Sequence, residues 1–264
     1  MTDEERIAIN QESIKKFKLF DDTFMSAAFD GHIEETKMLL QIVLERDDIE
    51  VISSKAQYYI SNLNYRETRL DIYAKDKSSV TYHVEVQRNL KGASVQRARF
   101  TGALVDSKLL NKGQDFTEIP ERYTIFITED DKFNKGYPIY HAENTIKELD
   151  NEPLGDGGHI VYVNGSYRNP NTPIGDLMHD FSCTEADDII NPIIRNRVKY
   201  LKETKGGNEE VCEVMEKRID EEKIDLAKEA IRKNELTLEQ IADVLKLPLA
   251  FVEEISRQIL VPNN

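Results

Sequence analysis

Between residues 69 and 87 the chain reads RLDIYAKDKSSVTYHVEVQ, and this stretch holds the residue types best suited to chemistry. One strand-like run carries Asp71. A polar turn spans Lys75 to Ser79, and a second run presents Glu85 and Gln87 two positions apart. Side chains alternate faces along a strand, so His83, Glu85 and Gln87 point one way and Tyr82, Val84 and Val86 the other. Paired as a hairpin, the two runs bring Asp71 and Glu85 to one side of a sheet. Two carboxylates placed in this way suit a hard divalent cation, Mg2+ or Mn2+, and the Val86 carbonyl offers a further oxygen. A metal held there would acidify a water into a nucleophile and stabilise charge developing on a phosphoryl oxygen. A glutamine cannot act as a general base, but the Gln87 amide can aim that water through hydrogen bonds; a lysine at the same place would offset negative charge. On spacing alone, an exposed hairpin with Glu85 paired to Arg69 or Arg88 is the simpler account.

Charge distribution adds weight to the site. The 264 residues carry a formal charge of −14, which argues against a surface that coats nucleic acid generally. Residues 51–113, however, hold eleven lysines and arginines against five carboxylates. That surplus of +6 leaves −20 for the rest of the chain. A local positive field is what contact with a phosphate backbone requires. No run of eighteen apolar residues exists, so no membrane span is expected. The opening MTDEERIAINQE has neither a basic nor an apolar leader segment, and the two cysteines, Cys183 and Cys212, suit a reducing compartment. A cytoplasmic protein is the default expectation.

The elements that must position these residues follow from periodicity. Residues 10–46 read as helix, broken near Asp30-Gly31, with Phe17, Phe20, Phe24, Met25 and Ala28 at helical spacing. That stripe reads as core rather than as a platform for stacking bases. Strands are expected at Ala56–Ile60, Arg69–Ala74 and Val80–Val86. An amphipathic helix follows at 93–112, then a buried-type strand at Tyr123–Ile127. The helix is long enough to cross to a parallel strand. Further β pieces are expected at 135–145 and 159–165, with a loop at 151–158 between them. Residues 173–202 read as helical, interrupted at Pro192, and a break is expected at 205–208.

Beyond that break, 209–233 is a charged helix and LTLEQIADVLKLPLAFVEEI (236–255) reads as two short helices. Thr237 and Gln240 can form a capping box. The pair resembles a helix-turn-helix, yet Glu239, Asp243, Glu253 and Glu254 put negative charge where a DNA-reading helix needs none. A structural or protein-binding role for these C-terminal helices fits better. The expected division is a domain at 1–204 and an acidic helical tail at 205–264.

Taken together, LDIYA, VEVQR, QRARFTGALVDSKLLNKGQDF and RYTIFITEDD resemble the PD-(D/E)XK nuclease superfamily. Within it the chain is most similar to the Rpn branch, the recombination-promoting nucleases and putative transposases. FKLFDDTFMSAAF and HIVYVNG extend the likeness over roughly residues 15–200. The resemblance implies an α/β fold with a restriction-endonuclease-like αβββαβ core. It implies a Mg2+- or Mn2+-dependent DNA endonuclease that hydrolyses phosphodiester bonds, in a bacterial recombination, mobile-element or defence role. Asp71 and Glu85 match the motif carboxylates, while Gln87 stands at the superfamily's lysine position. Some members add an acid from the first helix, for which Glu35 is the nearest candidate and Glu34 its rival; Asp22 reads as a local cap or pair. Arg97 and Arg99 in the post-motif helix, and Arg88 and Lys91 just before it, are the phosphate-contact candidates. For Arg97 and Arg99 a salt bridge to a sheet carboxylate is the competing account. DNA is the expected partner, and cutting both strands together would call for a homodimer. A nuclease scaffold that binds without cutting is the rival reading.

Overall fold

The computed structural model describes residues 11–60 and 68–260. The leader reading at residues 1–10 and the first residue of the expected opening helix lie outside them. A helical segment at 11–16 precedes two helices, α1 (Asp22–Phe29) and α2 (Ile33–Leu44). The break between them falls at Asp30-Gly31, where Gly31 takes φ +74, a conformation that costs a glycine little. Phe20, Phe24, Met25 and Ala28 are buried, and the Phe20 and Phe29 rings pack against Phe181. The stripe is core.

Three strands follow: β1 (Val51–Ile60), β2 (Thr68–Asp76) and β3 (Thr81–Gln87). Then come α3 (Val95–Leu109) and β4 (Arg122–Thr128). The tight turn between β2 and β3 is held by Asp76, whose Oδ1 accepts from the Ser78 and Val80 amides while Oδ2 accepts from Tyr82. β1 begins five residues earlier than its apolar run suggested, because Ser53, Ser54 and Lys55 pair with Lys75, Ala74 and Tyr73 despite their polarity.

The remaining strands are β5 (Ile139–Ala142), β6 (Thr145–Ile146), β7 (Glu152–Pro153) and β8 (Gly158–Asn164). The main sheet has the order β1-β2-β3-β4-β8-β5. β2 runs antiparallel to both β1 and β3, β3, β4 and β8 run parallel, and β5 closes the far edge antiparallel to β8. This is the αβββαβ order, a mixed α/β sheet of restriction-endonuclease-like type. The small β6–β7 ladder occupies part of the expected loop at 151–158.

α3 makes the crossover from β3 to β4. Ala98 packs with Ala93 on Phe126 and Tyr162, and Leu104 and Val105 pack on Leu70 and Ile60. The alternate residues Ile125, Ile127, Val161 and Val163 are also buried, so both faces of the central strands are covered. A sheet buried on both faces removes water from any polar side chain it carries, and β3 is buried at every residue from Thr81 to Val86. The exposed polar face expected for the hairpin is therefore a buried polar face.

Two further helices complete this part, α4 (Pro173–Ser182) and α5 (Pro192–Glu203). Pro192 starts α5 rather than interrupting a longer helix. Asn191 caps it, and a first-turn proline gives up an amide with no intrahelical acceptor. α6 (Lys205–Lys233) follows Thr204 directly, so the expected break at 205–208 is a change of helix at one residue.

The chain divides into two compact units between Val211 and Cys212, within α6 and later than the sequence boundary at 204/205. In the second unit α7 (Leu238–Leu245) and α8 (Leu249–Leu260) form the expected helical pair. The Thr237–Gln240 capping box is present. Ile241, Ala242, Val252 and Ile255 pack with Ala227 and Ile231, and the four acidic residues noted above are exposed.

Candidate active site

The ladder between β2 and β3 stops at Ile72 opposite Val84. Continuing that register sets Asp71 opposite Glu85, and here the backbone pairing gives way to a side-chain bond. The Val86 amide donates to Asp71 Oδ2 at 2.9 Å. β1 breaks its pattern at the same level: Ala56 pairs with Ile72 and Tyr58 with Leu70, while Gln57 between them takes φ +51. The Gln57 amide turns to α1, donating to Asp22 Oδ1 at 3.2 Å and to Ser26 Oγ at 2.8 Å. An irregular edge and an opened ladder thus admit side-chain carboxylates where a continuous sheet would hold only backbone bonds.

Glu85 is fully buried and its two oxygens meet three donors. His83 Nε2 lies 3.0 Å from Oε1. Gln87 Nε2 donates to Oε2 at 3.3 Å, and Arg97 Nη2 reaches the same oxygen at 2.5 Å. These contacts bear out the shared face of residues 83, 85 and 87. Burial pushes Glu85 up to about 7 against the opposing pull of Arg97, with the Asp22 charge adding to the rise. Burial also raises Asp71 well above the usual carboxylate range, reinforced first by Glu85 and then by Asp22. Raised carboxylates of this kind mark a place where negative charge is held at a cost. Burial, with Arg122 and Arg97 nearby, pushes His83 down to about 3. The ring is neutral, and an ionised carboxylate only accepts, so Nε2 is assigned the proton it donates to Glu85.

Asp71 and Glu85 therefore make a buried, all-oxygen pair. Asp71 spends Oδ2 on Val86, and Glu85 Oε1 has one donor where an ionised oxygen has room for two. The Val86 amide faces β2, and in an extended strand the carbonyl of the same residue faces the same side. Excess negative charge on hard oxygen donors is the setting a divalent cation fits.

Other expectations land differently. Arg97 meets the motif glutamate itself, so it joins the site through Glu85. Arg88 is held by Asp21 at 2.7 Å and Glu129 at 3.2 Å, which makes it an ion-paired strap rather than an uncommitted cation. Lys91 and Arg99 are exposed. Glu34 is exposed, and Glu35 sits 3.8 Å from His32. The first-helix acid whose charge reaches both Asp71 and Glu85 is Asp22, which sequence reasoning set aside as a local cap. Spacing along α1 and α2 holds no sign of it, because the influence is that of a charge brought near the sheet by the fold. Asp22 acts at longer range: among the described residues, Asp22, Asp71 and Glu85 do not form a cluster with ligand atoms all within 4.8 Å.

His179, Asp180 and Cys183 do form such a cluster. Asp180, however, spends both oxygens on the Ile190 and Asn191 amides, and burial pushes the Cys183 thiol up to about 11. Its role is to anchor the 183–191 loop.

With fold and site in view, comparison with known families finds a match over residues 35–166, to the PD-(D/E)XK nuclease family transposases. The chain belongs to that family, and the matched span contains Asp71, Glu85, Gln87 and Arg97. Searches of curated proteins and of solved structures return no match. Membership implies nuclease-type chemistry with a divalent metal and DNA as its substrate. Among the described residues no helix is long and apolar enough to cross a membrane.

Proposed function

We propose that this protein is a metal-dependent DNA endonuclease that hydrolyses phosphodiester bonds, using Mg2+ or Mn2+, in bacterial recombination, mobile-element movement or defence. The observation that carries the proposal is the buried Asp71–Glu85 pair, with both carboxylates pushed upward by burial and by neighbouring negative charge. Asp71, Glu85 and the Val86 carbonyl would hold the metal. When bound, it would supply Lewis acidity toward a phosphoryl oxygen and toward water. His83 fixes the Glu85 carboxylate by donating to Oε1, and Gln87 and Arg97 fix Oε2. Gln87, at the open end of β3, would orient the attacking water by hydrogen bonding, as an amide does without taking a proton. Lys91 and Arg99, both exposed, would meet the phosphate backbone.

A second reading, a nuclease scaffold that binds without cutting, draws on the three donors that already occupy Glu85. Calorimetric titration with Mg2+ or Mn2+ separates the two. The nuclease reading expects binding by wild type that is lost in Asp71→Ala. Absence of metal binding by a folded wild type leaves the scaffold reading.

A further inference from the structure

We infer that Arg97 supplies the positive charge that position 87 does not carry. The inference rests on the nuclease reading of the Asp71–Glu85 site and names a positioning residue for it. Two donors converge on Glu85 Oε2: the Gln87 amide at 3.3 Å and the Arg97 guanidinium at 2.5 Å. A lysine at position 87 would bring a donor and a unit charge in one group. In this chain the two properties are divided. Gln87 gives the hydrogen bond from β3, and Arg97 gives the charge from the first turn of α3.

The local build supports the division. Ser94 caps α3 and its Oγ accepts from the Arg97 amide at 3.1 Å, which fixes where the arginine leaves the helix. Ala98, next along, is buried on Phe126 and Tyr162, so this turn of α3 lies on the sheet. Glu85 is completely buried, and a buried carboxylate requires a charged partner or loses its charge. Arg97 keeps its side chain 36% exposed, so the guanidinium bridges the buried carboxylate and the open side of the site. Gly92 completes the arrangement: a Cβ at that position would stand 1.8 Å from Gln87 Oε1, so the glycine leaves the space in which the neutral amide lies.

The test uses the full chain as wild type, Arg97→Gln, Arg97→Lys and the double variant Arg97→Gln/Gln87→Lys. Nicking kinetics with Mg2+ give kcat and KM for DNA; urea unfolding in EDTA at pH 8 gives a metal-free readout. Arg97→Gln is expected to lower kcat about 100-fold, the scale of losing one preorganised electrostatic partner, with KM little changed. Arg97→Lys should stay within about tenfold of wild type, and the double variant should recover about tenfold or more of the loss. In EDTA the urea midpoint should fall in Arg97→Gln and return in the double variant. Equal losses in Arg97→Gln and Arg97→Lys with a raised KM would make Arg97 a phosphate contact and overturn the inference. So would a double variant with no recovery in either readout, or an Arg97→Gln variant as active as wild type. A wild type that fails to nick removes the nuclease reading, and the urea midpoints alone then decide whether charge at position 87 replaces charge at position 97.

Discussion

Glu85→Gln, compared with wild type in EDTA, should reverse the usual relation between a carboxylate and pH stability. A group whose folded pKa is raised binds its proton more tightly when folded, so its contribution is present at low pH and is lost as pH rises through the folded value. Glu85 moves from an ordinary 4.5 to about 7. Linkage then gives a loss of roughly 2–3 kcal/mol between pH 5 and pH 8 from this group. Asp71 acts in the same direction. His83 acts in the opposite one, since a depressed histidine costs stability as pH falls below its unfolded value, but it is common to both proteins and cancels in the comparison. Tyrosine fluorescence isolates the correct unit: the chain has no tryptophan, and its eleven tyrosines all lie before residue 201. With an m-value of roughly 2–3 kcal/mol per M, wild type should lose about 1 M in urea midpoint relative to Glu85→Gln on going from pH 5 to pH 8. At pH 8, 10 mM Mg2+ should restore stability to wild type alone, by about 1.4 kcal/mol for an affinity near 1 mM. Parallel pH profiles for the two proteins would refute the account of a site holding carboxylates against their preference.

Other consequences are more local. Gly92→Ala should keep the fold but push the Gln87 amide off Glu85, because the clash is with the flexible end of that side chain; a rate loss of about tenfold to 100-fold, with a shifted Gln87 amide resonance, is expected. Gly102→Ala differs: a Cβ would lie 2.7 Å from Arg122 Nη1, and that guanidinium is already held by Asp106 and Thr124. The variant should lose about 1–3 kcal/mol in urea unfolding, and an unchanged midpoint would contradict the packing described for α3. His83 should stay neutral from pH 5 to pH 8, which 15N NMR of the ring reads directly; a titration near 6.5 would count against its buried contact with Glu85. Thr237→Ala should cost the C-terminal unit about 1 kcal/mol by removing the hydroxyl that accepts from the Gln240 amide in its capping box, seen as faster amide exchange in α7.

Much of this architecture was legible because it is local. The alternation in TYHVEVQ, the polar turn before it and the amphipathic 93–112 stretch each encode their own element, and the order of elements gives the topology. The Asp71–Glu85–Gln87 grouping follows from the hairpin register. What escaped the sequence depends on long-range packing. Burial of the polar face of β3 comes from α3 lying across it, which alternation alone does not reveal. Asp22 reaches the site by its charge, and the Gln57 that bonds to it has a left-handed backbone in the middle of β1 with no glycine or asparagine to announce it. Arg88 was an apparent phosphate contact until Asp21 and Glu129, distant in sequence, were brought to it. Arg97 was assigned either to phosphate or to a sheet carboxylate, and its partner proved to be the motif glutamate itself.

The central claim is that Asp71 and Glu85 form a hydrolytic metal site. Cleavage of supercoiled plasmid with Mg2+ or Mn2+, wild type beside Glu85→Ala, tests it most directly. The account predicts nicking by wild type, its loss in EDTA and its absence in a folded Glu85→Ala. Equal cleavage by both proteins, or none by a folded wild type with either metal, would contradict it.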